Sequence, residues 1–133
     1  MTPLFADTFY FLAMLNPGDE DHAKVKAFNA TLRQPLLTTV WVLTEVGDAL
    51  ATPENRGIFK RFLDRLQNDR RVTIVPASNE LFEDGAELYD QRPDKAWSLT
   101  DCISFFVMQE HGLTEALTKD RHFEQAGFTA LLK

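Results

Sequence analysis

Short apolar runs alternate along the chain with longer stretches whose apolar residues recur at helical spacing. Leu4-Phe5-Ala6 reads as a short buried strand that ends at Asp7, and Thr8 to Leu15 reads as a short helix stopped by Asn16-Pro17-Gly18. From Asp21, the spacing of His22, Val25, Phe28 and Leu32 predicts a helix that ends before Pro35. Leu36-Leu37 is a brief strand candidate. Thr39 opens another helix, with Val42, Val46 and Leu50 on one side, running to Thr52-Pro53. A polar helix follows from about Glu54 to Asp69, with Ile58, Phe59, Phe62, Leu63 and Leu66 as its apolar stripe.

Val72-Thr73-Ile74-Val75 is the clearest strand, β-branched throughout and closed by Pro76. Ser78-Asn79-Glu80-Leu81 opens a helix with capping chemistry that runs to about Tyr89, and a charged loop from Gln91 to Lys95 follows. Ser98 begins the next helix, with Asp101 three residues on, and His111-Gly112 closes it with a left-handed cap. Glu115 to Thr118 is a strand candidate, and Ala130-Leu131-Leu132 is a candidate last strand. Strands separated by helices predict an α/β fold with a parallel sheet, because parallel strands need crossover connections. The length of 133 residues fits one domain spanning 1–133. The order of the strands is not contained in this pattern.

Composition narrows the function. Eleven Phe, two Trp and two Tyr supply core material that excludes a disordered chain. Fourteen basic against twenty acidic side chains leave a formal charge of −6, which argues against holding nucleic acid by bulk charge. Phosphate handling through bound cations stays open. One cysteine, Cys102, excludes an intrachain disulfide framework and a cysteine-built zinc site, and it reads as core filler. The start has no basic cluster, and no apolar run approaches the ~20 residues of a membrane helix, so the expectation is a soluble cytoplasmic protein.

Four carboxylates stand out by placement. Asp7 follows the first strand, and Asp120 follows the strand that ends at Thr118. Asp101 lies in the first turn of its helix. Glu45 shares a helical face with Trp41 and Val42, where an unpaired carboxylate is normally excluded. In an open parallel sheet, sites form at the carboxyl ends of strands, so the topology can bring these distant acids together. Each also has an ordinary explanation: a turn or cap for Asp7, capping after Ser98 for Asp101, an exposed loop charge for Asp120. Gathered carboxylates repel, and a hard cation with oxygen ligands is one remedy. Mg²⁺ fits that role and Mn²⁺ prefers similar ligands. Two such ions would take the formal balance from −6 to −2.

The chain resembles the PIN-domain ribonucleases, and among them the VapC-like toxins of bacterial toxin–antitoxin pairs. The resemblance rests on Phe5-Ala6-Asp7-Thr8, Thr44-Glu45-Val46, Trp97-Ser98-Leu99-Thr100-Asp101-Cys102 and Leu117-Thr118-Lys119-Asp120-Arg121-His122-Phe123, in order along nearly the whole chain. It implies a three-layer α/β/α domain with a central, mainly parallel sheet. It implies a metal-dependent endoribonuclease using Mg²⁺ or Mn²⁺, with Asp7, Glu45, Asp101 and Asp120 as the catalytic, metal-holding quartet. Asp7 and Asp101 match the most direct ligands, and Thr8 and Thr118 match flanking hydroxyls. Some relatives carry an acid where this chain has His122, which could instead hydrogen-bond phosphate. The resemblance further implies an RNA substrate, an antitoxin protein laid across a groove, and a homodimer.

Other residues are weighed beside this reading. Arg56 and Lys60 share a helical side and are either a solvated face or a track for RNA, and Arg92 and Lys95 are a second candidate RNA contact. His111 reads as a helix-end cap. The Phe9-Tyr10-Phe11-Leu12 run and the Phe59-Phe62-Leu63-Leu66 stripe read as core. A catalytically silent module that binds RNA or protein is the alternative function. A phospho-acceptor domain fits less well, because Asp7 has no adjacent acid and no acceptor follows Val75-Pro76.

Overall fold

The computed structural model describes all residues from Met1 to Lys133. Five strands form one sheet: β1 (Leu4–Ala6), β2 (Leu36–Thr39), β3 (Val72–Val75), β4 (Glu115–Leu117) and β5 (Thr129–Ala130). Seven helices connect them: α1 (Thr8–Leu15), α2 (His22–Thr31), α3 (Val40–Ala49), α4 (Arg56–Gln67), α5 (Asn79–Gln91), α6 (Leu99–Glu110) and α7 (Arg121–Gln125). All neighbouring strands are parallel, in the order β3-β2-β1-β4-β5. Every consecutive strand pair is therefore joined by a helical crossover, as the alternation in sequence requires.

β1 and β2 are buried at every position, so both faces of the sheet are covered and the strands are apolar without alternation. Thr38 keeps its place inside because its hydroxyl donates to the Ala6 carbonyl of the neighbouring strand. Twenty-five buried residues form one continuous core on and around the sheet. No helix is long and apolar enough to cross a membrane.

Several sequence expectations shift. β2 runs on to Thr39, two residues past Leu37, because Thr38 and Thr39 are β-branched and pair with Ile74 and Val75. Thr39 then caps α3, accepting from the Val42 amide at 3.1 Å. Helix α7 was not expected, since five residues are too few to show a helical period. β5 lies at Thr129–Ala130 rather than Ala130 to Leu132, although Leu131 and Leu132 still donate to the Ala116 and Thr118 carbonyls. The α6 terminus is as expected: Gly112 has φ +66°, and Leu113 N–H bonds back to the Met108 carbonyl. Cys102 is buried in the core, and His111 caps the helix with Nδ1 2.9 Å from the Val107 carbonyl oxygen.

Candidate active site

β1 is the strand from which the chain departs in two directions, toward β2 on one side and, later, β4 on the other. A crevice opens beyond the carboxyl ends of such a strand pair. Ala6 is in register with Leu117, so Asp7 and Thr118 emerge side by side at that end. A cleft of about 700 Å³ lies there, and Asp7, Glu45, Asp101 and Asp120 all line it, with Thr8 and His122.

Each acid is held by a definable local device. Asp7 occupies the position before α1, yet its side chain makes no capping bond into that helix. Its Oδ2 instead accepts from Thr118 Oγ1 at 3.0 Å, across 111 residues of sequence. Asp7 is thus the N-cap residue by position, while its side chain is held from β4. Thr118 also accepts from the Asp120 amide at 3.1 Å, so one buried hydroxyl ties two acids to the β4 end. Thr8 Oγ1 donates to Glu45 Oε1 at 2.6 Å, which draws the half-buried α3 carboxylate toward the first strand. Asp101 does form a capping box with Ser98, with bonds of 3.0 and 3.2 Å, and it faces the cleft as well. Asp120 caps α7 by accepting from the His122 amide at 2.9 Å. Three of the four acids thus sit at helix N-termini, where the partial positive charge favours a carboxylate.

An aromatic chain runs beneath this arrangement. Trp97 meets Phe105 edge-on at 5.0 Å, Phe105 meets Phe123 at 4.9 Å, and Phe123 reaches Phe5 at 6.2 Å. These rings belong to the approach to α6, to α6, to α7 and to β1. They fix the relative positions of the elements that carry Asp101, Asp120 and Asp7.

The crowding has an electrostatic signature. Burial raises the proton affinity of Asp7, and the charges of Asp101 and Glu45 add to it, so its pKa rises from 3.8 to about 7 against the opposing pull of the nearby Thr8 amide and of Thr118. Asp101 is also pushed up, mainly by burial and further by Asp120, against the pull of Ser98 and His122. All four acids are therefore linked electrostatically through Asp7 and Asp101.

His122 Nδ1 lies 3.2 Å from Asp101 Oδ2 and 3.5 Å from Asp120 Oδ1. Beside these carboxylate oxygens, Nδ1 is the donor in the tautomer that carries its proton there. Asp101, Asp120 and His122 place ligand-type atoms within 4.8 Å of one another, a group that could hold a cation. His122, expected from the sequence to support the site or contact substrate, lies between two of the acids.

Two basic residues at the cleft escaped the sequence reading, Lys119 and Arg121, which flank Asp120. The Lys119 ammonium is engaged by Asp21 at 2.6 Å and lies 5.2 Å from the Phe9 ring. Arg121 is exposed and makes no ion pair. Their adjacency to an acid after a strand was the available signal. Arg56 and Lys60 lie on the solvent side of α4 outside the cleft lining, and Lys60 pairs with Asp64 at 2.9 Å. Arg92 and Lys95 line a neighbouring cavity, not the cleft.

Oxygen donors clustered at the end of a parallel sheet define a class, and a family model agrees: residues 4–129 match the PIN domain, so this chain belongs to the PIN-domain family. A relative from Mycobacterium tuberculosis, the 23S rRNA-specific endonuclease VapC20, is 30% identical over 126 residues, covering 94% of this chain and 95% of the relative. The crystal structure of Mycobacterium tuberculosis VapC20, described as a sarcin-ricin loop cleaving toxin, superposes with a TM-score of 0.88 at 25% identity, covering 96% of this chain and 98% of that one. The crystal structure of FitAcB from Neisseria gonorrhoeae shares the fold, with a TM-score of 0.68 at 18% identity over 96% and 94% of the two chains.

Proposed function

We propose that this protein is a divalent-metal-dependent endoribonuclease and the toxin of a toxin–antitoxin pair. The observation that carries the reading is the buried Asp7 carboxyl, crowded by Glu45 and Asp101 at the mouth of the sheet. Such an arrangement is costly unless a cation compensates it. The donor set is carboxylate oxygen, which suits Mg²⁺ or Mn²⁺ rather than a soft metal. Asp7, Glu45, Asp101 and Asp120 would hold the ion, with His122 able to join Asp101 and Asp120 once its Nδ1 proton is gone. When bound, such a cation screens phosphate charge and makes water a better nucleophile.

The protein groups have separable tasks. Thr118 fixes Asp7 Oδ2, and Thr8 fixes Glu45 Oε1, so the acids are oriented before any substrate arrives. Arg121, free of ion pairs at the cleft edge, is the cation for the RNA backbone. Arg56, Lys60, Arg92 and Lys95 would extend that contact beyond the cleft. With acids but no nucleophile and base pair at the cleft, in-line attack by water leaves a 5′-phosphate and a 3′-hydroxyl.

The relatives, a 23S rRNA-specific endonuclease and a toxin by description, support RNA as the substrate, and an antitoxin protein is the partner we propose. A groove of about 460 Å³ between α1 and α4, floored by Phe11, Met14, Ile58 and Phe62, offers apolar anchors for an antitoxin segment. A homodimer and a cytoplasmic location complete the proposal. Purified protein incubated with defined RNAs, with Mg²⁺ or Mn²⁺ and with chelator, tests it by end-group analysis. Cleavage should need the metal and vanish in Asp7→Asn and Asp101→Asn. RNA binding with no cleavage under any metal would instead indicate a silent module.

A further inference from the structure

Beside the acidic cleft lies a second cavity of about 430 Å³, formed by the end of α5 and the loop that leads into α6. Ala96 lines both, so the two are adjacent at the surface. We infer that this cavity is a nucleotide subsite for the RNA, holding an unpaired base against Tyr89 and Arg92 with its phosphate on Lys95. The inference rests on the ribonuclease reading of the neighbouring cleft.

The cavity combines aromatic rings and cations with small apolar side chains. Tyr89 is 55% exposed, one of three large hydrophobics left in solvent, and its ring forms part of the cavity wall. Arg92 is fixed as a flat plate. Its Nε and Nη2 each donate to a different Asp94 oxygen at 3.0 Å, and its guanidinium lies 5.2 Å from the centre of the Trp97 ring. The guanidinium lies over the Trp97 ring, and the side chain remains 41% exposed. The two-pronged pair with Asp94 holds the guanidinium plane in one orientation. Guanidinium planes and aromatic rings are the surfaces on which proteins stack unpaired RNA bases. Lys95 meets Asp94 only at 3.9 Å, which leaves its ammonium donors available for a phosphate. Asp90, on the same wall, adds a carboxylate acceptor for the amino edge of a base.

The consequence is a preference for RNA with an unpaired nucleotide next to the cut. Cleavage kinetics of the full-length protein, on a single-stranded RNA and on the same sequence annealed into a duplex, provide the test. Tyr89→Ala and Arg92→Ala should each raise KM roughly ten-fold, with kcat little changed, and Tyr89→Phe should retain the wild-type KM. Lys95→Ala should lower the slope of binding against salt by about one phosphate contact. The duplex should be cut poorly by every variant. Thermal unfolding of each variant excludes a folding defect, and these side chains lie at the surface. Unchanged KM in folded Tyr89→Ala and Arg92→Ala, with the wild type active, would overturn the subsite alone. A wild type that cleaves no RNA with either metal would overturn the ribonuclease reading on which it depends.

Discussion

Replacing Asp7 with Asn should stabilise the metal-free protein at alkaline pH and change little in acid. The folded protein holds the Asp7 proton up to about pH 7, whereas an unfolded chain releases it near 3.8. Below 3.8 both states are protonated and the site costs nothing. As pH rises toward 7 the folded state binds more protons than the unfolded one, so stability falls across that window and stays lower above it. A difference of roughly three pKa units corresponds to about 4 kcal/mol. Asn keeps the acceptor for Thr118 and carries no charge, so Asp7→Asn should recover most of that loss. Asp101, also raised, contributes a slope of the same sign in both proteins, and the lowered Asp69 and Asp94 contribute the opposite sign in both, so the difference between the two proteins isolates Asp7. Urea unfolding in chelator at several pH values measures the effect. Added Mg²⁺ should restore the wild type selectively, by about 2.7 kcal/mol at one hundred times its dissociation constant. An equal pH slope in the wild type and Asp7→Asn would refute the reasoning.

Other substitutions probe the frame. Gly85→Ala places a Cβ 2.3 Å from Ile103 Cγ1 where α5 crosses α6, so overpacking of about 1–3 kcal/mol should outweigh a helix-propensity gain of up to about 1 kcal/mol, read as a lower denaturation midpoint. Phe123→Ala removes a fully buried ring from the aromatic chain and should cost about 3–5 kcal/mol in urea unfolding, with loss of cleavage because Asp101 and Asp120 lose their common floor. Charge reversal at Arg56 and Lys60 should weaken RNA binding and flatten its salt dependence if α4 tracks the backbone, and unchanged binding would leave a solvated face.

Much of the fold was legible because its signals are local. Val72 to Val75 is β-branched throughout and is a strand with those bounds, and Ser98 with Asp101 forms the capping box that the spacing suggested. What was not legible depends on distant partners. The strand order, the extension of β2 through Thr38 and Thr39, and the short α7 all follow from pairing and packing that no sequence window contains. The site divides the same way. The four acids could be picked out by position after strands and on an apolar helix face. The bonds that gather them, Thr118 to Asp7 and Thr8 to Glu45, span 111 and 37 residues. Nor did spacing reveal that His122 would settle between Asp101 and Asp120.

The account stands on one cation being shared by carboxylates drawn from separate parts of the chain. Titration of Mn²⁺ into the purified protein, with free ion followed by electron paramagnetic resonance, tests this directly. The account predicts uptake at a discrete site that competes with Mg²⁺ and disappears in Asp7→Asn and in Asp101→Asn, both still folded. Equal uptake by the wild type and a folded variant lacking both carboxylates would contradict it.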